Sequence, residues 1–236
     1  MNIDISEAEE KLVRGWIYQM AFFMAVYTPI FFFIAGSMSW GWGWVYFIIL
    51  GLFLAAHPLL LVPINPGLLA ERARGINTEG TKRWDKVVAG VGAGIMPFAS
   101  QILSAFDYRF TWSSLSTAVN FFGLVIIILG YLLFLWAMVS NAFFAEGVRI
   151  QTERGHAVCG SGPYRWVRHP GYVGSILSII GTPLLLDSLW GLIPSLMGAA
   201  AFILRTVLED LTLQDELKGY KSYTERVRYK LIPGIF

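Results

Sequence analysis

Four long apolar runs constrain this chain of 236 residues more than any other feature. They cover residues 16–36, 42–62, 87–105 and 118–139, and Gly, Pro, Ser and charged residues bound them. A helix needs about 20 apolar residues to cross the core of a bilayer. Hydrophobic residues make up 56% of the chain and charged residues only 14%, which is too apolar for an average soluble domain. We therefore predict a membrane protein in which each run is a transmembrane helix.

A fifth and a sixth apolar segment share residues 171–205, with breaks at Thr182-Pro183 and Asp187-Ser188. These 35 residues are slightly short for two full passes, which favours a tight helical hairpin. The predicted fold class is all-α: a polytopic transmembrane helix bundle of about five to six spans, with a C-terminal helical hairpin and a cytosolic amphipathic tail. Two regions are expected, namely N-terminal transmembrane helices at 1–116 with a cytosolic loop at 64–86, and a second membrane domain at 117–236.

The basic residues predict the orientation of the bundle, because cytosolic loops of membrane proteins are enriched in Lys and Arg. If the six segments alternate in direction, 17 of the 18 basic residues fall on the side that holds both termini. Only Arg109 falls on the opposite side. We therefore expect both termini, the loop at 64–86 and the polar motifs described below to be cytosolic.

Several function classes are disfavoured by composition. The single cysteine, Cys159, excludes an internal disulfide, and no Cys or His spacing is typical of a metal site. A formal net charge of +2 does not suggest a nucleic-acid partner. Acidic residues precede the first apolar run and no small-residue cleavage site follows it, so we expect the first span to be retained.

The segment 149–174, RIQTERGHAVCGSGPYRWVRHPGYVG, is unusually polar and enters the fifth apolar segment. Pro170 disfavours helical geometry at His169 and suits the first helical turn, which predicts His169 at the N-cap. The amides of the next three residues would then be free to bind an anion, such as the carboxylate of S-adenosylmethionine, a phosphate or a lipid headgroup. Those residues are Gly171, Tyr172 and Val173. The alternative is a turn at the membrane surface whose arginines, Arg165 and Arg168, reach the interface.

A second polar set follows the last apolar segment. Positions 205, 209, 213, 216, 220 and 223 recur at intervals of three or four, which predicts one face of a single amphipathic helix. Glu209 on that face could hold a ribose hydroxyl or an amino group and would favour a cationic sulfonium. The alternative is a solvated helix whose charges pair with each other. Because both polar sets flank one hairpin, they can converge on the same membrane face.

At these residues the chain resembles the isoprenylcysteine carboxyl methyltransferase family, which is related to the phospholipid N-methyltransferases. The resemblance covers roughly residues 117–236. It rests on Gly162-Pro163-Tyr164-Arg165, on Arg168-His169-Pro170 with Tyr172 and Gly174, on Arg205 and Glu209, and on Tyr220, Tyr223, Arg226 and Leu231-Ile232-Pro233. The stretch Asn65-Pro66-Gly67-Leu68-Leu69-Ala70-Glu71-Arg72 also looks like a linker that is common in bacterial and archaeal relatives.

The resemblance implies an integral membrane methyltransferase that uses S-adenosylmethionine, needs no metal and receives its substrate from the lipid between helices. The implied cofactor-binding residues are Gly162, Tyr164, His169, Pro170, Gly171, Tyr172, Glu209 and Tyr220. A pair of glutamates that is frequent in the family appears here as Glu209-Asp210. That departure predicts a smaller role for Asp210 than for Glu209.

The methyl acceptor is left open by the sequence. A carboxylate such as that of an isoprenylcysteine is already ionised at neutral pH, and Arg149 or Arg168 could position it. A thiol or an amine, on a lipid or on a small molecule, would have to lose a proton, for which His169 and Glu153 are candidates. The predicted catalytic residues are therefore Arg149, Arg168 and His169.

Two other functions compete with this interpretation. Membrane reductases of the steroid and sterol type share a His-Pro-x-Tyr turn but use NADPH, and they usually have an asparagine where this chain has Gly171. A non-enzymatic transporter or scaffold should show polar residues at mid-depth or inverted repeats, and neither is evident. His57, within the second apolar run, is interpreted as a helix-packing residue rather than part of a substrate groove.

Overall fold

A computed structural model describes residues 6–236, and over these residues all regular secondary structure is helical. The α-helices are α1 (Glu7–Ala35), α2 (Gly41–Ile64), α3 (Pro66–Ala73), α4 (Arg83–Ala89), α5 (Met96–Phe110), α6 (Thr117–Ser140), α7 (Pro170–Leu185), α8 (Leu192–Glu216) and α9 (Tyr220–Arg226). A π-helical segment, Gly90–Ile95, joins α4 to α5. Two 3-10 turns, Thr152–Arg154 and Gly162–Arg165, lie between α6 and α7.

Five helices in the described part of the chain are long and apolar enough to cross a membrane. They are α1, α2, the continuous span Arg83–Phe110, α6 and α8, and α7 is a shorter apolar helix of 16 residues. Local signals explain their ends: Ser6 and Glu9 form a capping box at the start of α1, and Gly36 ends that helix at φ 72°. The predicted polytopic bundle, including the C-terminal hairpin, is confirmed.

The connection after α2 is more ordered than the predicted loop at 64–86. Asn65 accepts a hydrogen bond from the Leu68 amide at 3.0 Å, and Pro66 occupies the first turn, so these residues begin α3. Leu68 and Leu69 are buried in a cluster with Trp16 of α1. This packing keeps the charged residues at the end of α3 buried against the bundle instead of exposed to solvent.

Helices α6 and α7 pack closely because glycines face each other across their contact. A Cβ atom on Gly130 would lie 2.6 Å from the carbonyl oxygen of Gly174, and one on Gly181 would lie 2.9 Å from that of Gly123. Small residues of this kind let membrane helices approach to backbone contact. The contact fixes the start of α7, where His169 lies, against the cytosolic end of α6 in the predicted orientation.

The tail does not form the single amphipathic helix that the spacing predicts. Helix α8 ends at Glu216, and α9 begins at Tyr220 after Gly219, whose φ of +86° interrupts the helix. Helix α9 is therefore a separate element, and its Tyr220 and Tyr223 are buried. The prediction of a single helix was wrong because the spacing of residues 205–223 does not reveal the break at Gly219. Both helices nevertheless contribute residues to the wall of one cavity.

Candidate active site

A cavity of about 480 Å³ lies where α3, the connection 141–169, the start of α7, the end of α8 and α9 meet. Eight residues predicted for catalysis or cofactor binding line it: Arg149, Tyr164, Arg168, His169, Gly171, Tyr172, Glu209 and Tyr220. The convergence of the two polar sets, expected from the hairpin, is therefore present. Gly162 and Pro170, also predicted as cofactor-binding residues, do not line this cavity.

Gly162 acts through the backbone. Its φ of 55° favours glycine, and a Cβ atom there would lie 2.9 Å from Cβ of Ser140 at the end of α6. The 3-10 turn can therefore lie against α6 and direct Tyr164 inward. The Tyr164 hydroxyl accepts a hydrogen bond from Asn141 at 3.3 Å, its carbonyl accepts one from the Tyr223 hydroxyl at 2.6 Å, and burial raises the pKa of its phenol. Tyr164 therefore remains a neutral wall of the cavity.

The anion-binding helix mouth predicted at the start of α7 is not formed as expected. His169 is the N-cap residue, as predicted, but its carbonyl accepts the amides of Tyr172 at 3.1 Å and Val173 at 3.3 Å. Gly171 is buried, and a Cβ atom there would lie 2.6 Å from the ring of Phe144. Of the three amides expected to be free, those of Tyr172 and Val173 are therefore bonded within the chain, so this helix contributes mainly side chains to the cavity.

Asp210 is the centre of a buried network, in contrast to the small role expected for it. Its carboxylate accepts two hydrogen bonds from Arg168, at 2.7 and 3.0 Å, and one from the Tyr220 hydroxyl at 3.1 Å. Nε2 of His169 lies 3.3 Å from the same carboxylate. Asp210 is only 1% exposed. The network joins α7, α8 and α9, so Asp210 has a structural role that the family comparison of acid pairs did not indicate.

Arg168 is committed to the fold rather than to a substrate. Besides Asp210, its guanidinium donates to the carbonyls of Val227 at 2.9 Å and Arg228 at 2.8 Å. These bonds hold the C-terminal segment against the start of α7. With its donors used in this way, Arg168 is poorly placed for the catalytic role predicted for it.

Arg149 is also paired within the protein. Its guanidinium donates twice to Glu71, at 3.0 and 2.6 Å, and lies 2.7 Å from Glu153. Two carboxylates already neutralise this single cation, which leaves little affinity for a third. The predicted role of Arg149 in positioning an acceptor carboxylate is therefore not supported by its contacts. Its pairing with Glu71 instead joins α3 to the second half of the chain.

Glu209 is a carboxylate of the cavity wall that is not paired with an arginine within the described residues. It is half-buried and lines the cavity, and it accepts a hydrogen bond from the Tyr172 hydroxyl. The Tyr172 ring is stacked parallel to His169, with centroids 5.7 Å apart, and the Arg205 guanidinium lies 5.1 Å above the Tyr172 centroid. Arg205 itself is held by Asp85 at 2.6 and 2.9 Å. This arrangement orients Glu209 while leaving it able to accept further hydrogen bonds.

Arg72 is the site residue that sequence reasoning missed. Its guanidinium is buried between the rings of Phe134 and Phe144, and makes only long contacts, 3.3 Å to the Phe144 carbonyl and 3.4 Å to Glu146. Nε of Arg72 is buried with no partner among the described residues. Burial, partly offset by Glu146, lowers the pKa of this guanidinium. Its place in the linker-like stretch 65–72 was the only signal in the sequence.

A second cavity, of about 440 Å³, adjoins the first within the membrane part of the bundle. Aromatic and aliphatic side chains of α1, α2, α5 and α6 supply much of its wall. His57 also lines this cavity, so its interpretation as a helix-packing residue rather than a groove residue is not supported. The two cavities share wall residues: Arg72, Ala93, Phe134, Glu146, Ser175 and Phe202. Arg72 therefore lies at the junction of a polar chamber and a largely apolar one.

Metal ligation finds no support in residues 6–236, which contain no group of three or more His, Cys, Asp or Glu side chains placed to hold an ion. Cys159 lies near the polar cavity, where its Sγ is 3.2 Å from the Ser140 carbonyl oxygen.

Comparisons with known proteins agree with the predicted resemblance. Residues 123–215 match the family model described as the isoprenylcysteine carboxyl methyltransferase (ICMT) family. Two rice proteins, from Oryza sativa subsp. indica and subsp. japonica, are each described as a probable protein-S-isoprenylcysteine O-methyltransferase. Each is 36% identical to this chain over 69 residues, which are 29% of this chain and 36% of the relative. The match thus spans about a third of these relatives.

A solved structure supports the fold over nearly the whole chain. It is the eukaryotic intramembrane Ras methyltransferase ICMT, solved without a monobody. The similarity has a TM-score of 0.50 and covers 98% of this chain and 99% of that one, at 19% identity. The resemblance predicted from the motifs is therefore confirmed for the family segment, and the fold is shared along the chain.

Proposed function

We propose that this chain, whose residues 123–215 match the isoprenylcysteine carboxyl methyltransferase family, is an integral membrane methyltransferase that uses S-adenosylmethionine to methylate a lipophilic carboxylate. The observation that carries the proposal is the junction of the two cavities at Arg72. A polar chamber suited to the methyl donor meets a largely apolar chamber suited to a lipid chain, with an incompletely paired cation between them.

The polar cavity fits S-adenosylmethionine in size and in chemistry. A volume of about 480 Å³ lies within the range of small-molecule sites. Glu209 can accept hydrogen bonds from ribose hydroxyls or from the amino group, and its charge favours a cation nearby. Aromatic side chains, among them Tyr164, Tyr172 and Tyr220, supply apolar wall. When bound, S-adenosylmethionine supplies a methyl group that a sulfonium activates for displacement.

Arg72 is suited to bind the carboxylate of the methyl acceptor. A guanidinium can hold a carboxylate through two parallel hydrogen bonds, and a buried cation without such a partner is costly. The other three arginines of the cavity wall, Arg149, Arg168 and Arg205, each already have carboxylate partners at 3.0 Å or less. The side chain of Glu146 is 36% exposed and only 3.4 Å from Arg72, so a substrate anion can displace this weak pair.

A carboxylate acceptor would require no general base in the cavity. One oxygen of the acceptor forms a bond to the methyl carbon as the bond from that carbon to sulfur breaks, and no proton has to leave the acceptor. The protein must hold the two partners close and exclude water. His169, predicted as a catalytic base, instead contacts Asp210 at 3.3 Å and Tyr220 at 3.4 Å, which is a positioning role.

The methyltransferase proposal is favoured over the reductase and transporter alternatives by the comparisons. The matched family and the similar proteins described above are all named as methyltransferases. A lipophilic substrate is supported by the membrane cavity, which lies among the spans and adjoins the polar chamber. The comparisons thus support the class of reaction, and the membrane cavity supports the class of acceptor.

The test is methylation by purified protein in lipid nanodiscs with S-adenosylmethionine labelled with tritium on the methyl group. N-acetyl-S-farnesylcysteine is one acceptor, and its carboxamide is the matched control. We expect label in the lipid fraction with the carboxylate only, and we expect base to release it as methanol, because a methyl ester is base-labile. Label that resists base would indicate an amine or thiol acceptor. Oxidation of NADPH without methyl transfer would overturn the proposal.

A further inference from the structure

The membrane cavity contains more unpaired polar groups than a site for plain hydrocarbon requires. Its hydroxyls on α7 are satisfied within their own helix: Ser178 donates to Gly174 and Thr182 donates to Ser178, both at 2.8 Å. Four other polar side chains of the wall have at least one polar atom without a hydrogen bond of this kind. They are Tyr46, His57, Gln101 and Tyr131.

Gln101 gives the first observation. It is 7% exposed, and its Oε1 is buried with no hydrogen-bond partner among the described residues. Burying an amide without a partner costs about 1–3 kcal/mol, and more where no water can reach it. Within the bilayer core, burial of a leucine at this position would cost less free energy than burial of this glutamine, unless a ligand supplies the missing hydrogen bond.

His57 gives an independent second observation. Its Nδ1 lies 2.9 Å from the Phe53 carbonyl, which can only accept, so Nδ1 carries the hydrogen. The neutral ring then presents Nε2 as an acceptor. His57 is 3% exposed, and the one hydrogen bond of its ring to the described residues is the one at Nδ1. His57 and Gln101 thus each offer an acceptor that lacks a donor.

Two tyrosines complete the polar lining. Tyr46 and Tyr131 make no side-chain hydrogen bond to the described residues, although both lie in the wall of the cavity. Tyr46 and His57 are eleven residues apart on α2, a separation of about 16 Å along the helix. The unpaired groups are therefore distributed along the depth of the cavity, below Arg72 at its cytosolic end in the predicted orientation. A ligand group that both donates and accepts, as a hydroxyl does, would satisfy such a mixture.

We propose that the membrane cavity binds a lipid carboxylate whose chain carries a hydroxyl group, in preference to an unsubstituted hydrocarbon chain. The carboxylate is held at Arg72, and the hydroxyl binds unpaired polar groups of the cavity wall, which include Gln101, His57 and Tyr131. The proposal deepens the proposed function by specifying the acceptor, and it rests on that function for the carboxylate end only. The alternative is that water binds the unpaired polar groups. In that case the cavity would show no preference for a hydroxylated chain.

The experiment compares octadecanoate with 10-hydroxyoctadecanoate and 12-hydroxyoctadecanoate as competitors of a fluorescent fatty acid bound to purified protein in detergent. We expect at least one hydroxylated chain to bind about tenfold more tightly than octadecanoate, which corresponds to about one hydrogen bond made by a buried group. Gln101→Leu and Tyr131→Phe should each reduce this preference to less than about threefold.

The chain offers a matched control for these variants. The Tyr27 hydroxyl is also buried without a partner among the described residues, but Tyr27 does not line the cavity. Tyr27→Phe removes an unpaired hydroxyl outside the site, so the preference for the hydroxylated chain should stay at the wild-type value. Equal affinity of the wild type for all three fatty acids would overturn the proposal, and so would a preference that survives both Gln101→Leu and Tyr131→Phe.

Failure of this proposal can be distinguished from failure of the proposed function. Binding of S-adenosylhomocysteine, measured by calorimetry on the same preparations, reports on the polar cavity alone. If it binds while the fatty acids are not discriminated, the polar lining holds water and only the cavity proposal fails. If the hydroxylated chain is preferred while neither S-adenosylhomocysteine binding nor methyl transfer occurs, the methyltransferase proposal fails and the cavity proposal stands.

Discussion

Single residues around the polar cavity differ in how completely their charges are paired. Arg149, Arg168 and Arg205 each hold a carboxylate at 3.0 Å or less, and these ion pairs connect distant parts of the chain. Arg72 makes two contacts longer than 3.2 Å and has a buried Nε without a partner among the described residues. A charge that the fold does not neutralise is available to a ligand, which distinguishes a binding arginine from a structural one.

Arg72→Gln should lower kcat/KM for a lipophilic carboxylate by about ten- to a hundredfold, as expected from the loss of one charge-assisted interaction. Binding of S-adenosylhomocysteine should be nearly unchanged, because the variant retains the Glu209 side of the cavity. Arg74→Gln is the matched control, since Arg74 is two residues away and its side chain is 43% exposed. Steady-state kinetics and calorimetry measure both effects. Equal losses in the two variants would show that Arg72 has no specific role.

At the scale of elements, α8 presents adjacent acids to different surroundings. Consecutive residues of a helix point about 100° apart. Glu209 therefore lines the cavity, while Asp210 faces α7 and α9 and binds Arg168 and Tyr220. The first acid is positioned to contact a ligand, and the second holds three helices together.

Glu209→Ala should weaken S-adenosylhomocysteine binding by about ten- to a hundredfold with little change in thermal stability, because a half-buried contact to a ligand is lost. Asp210→Ala should instead destabilise the fold by about 3–5 kcal/mol, since it leaves the Arg168 guanidinium buried without its carboxylate. Thermal unfolding and calorimetry on both variants separate these outcomes. The assignment of roles is refuted if Asp210→Ala unfolds like the wild type or if Glu209→Ala binds like it.

At the scale of the whole molecule, the site depends on both halves of the chain. Ion pairs between Glu71 and Arg149 and between Asp85 and Arg205 cross the predicted boundary at residues 116–117. The two predicted regions remain a working division of the sequence. The N-terminal half, in which the sequence predicted no catalytic or cofactor-binding residue, nevertheless contributes Arg72 and much of the wall of the membrane cavity.

The orientation of the molecule is a prediction that cysteine labelling can test. In a Cys159→Ser background, Glu79→Cys lies in the connection between α3 and α4 and Ser114→Cys in the connection between α5 and α6, and both positions are exposed. The basic-residue distribution predicts that an impermeant maleimide added to intact cells labels position 114 but not position 79. Labelling of position 79 from outside would reverse the orientation and place the polar cavity on the opposite face.

Local features of the sequence determined the number of membrane segments and the position of His169. Hydropathy over about 20 residues decides whether a helix can cross a bilayer, and Pro170 restricts the residue before it. Neither effect depends on distant contacts, so both predictions are confirmed. Several residues of the cavity wall were also predicted, because Tyr164, Tyr172 and Glu209 belong to motifs at the two ends of one hairpin.

Only the tertiary structure decided which of these polar residues are structural and which remain free for a ligand. Arg149 and Arg72 look alike in the sequence, but one meets Glu71 and the other lies between two aromatic rings. Asp210 differs from Glu209 in the helices that it faces, which is a property of packing rather than of spacing. Pairing between charges depends on distances of a few ångströms between segments far apart in the chain, and such distances are set when the helices pack.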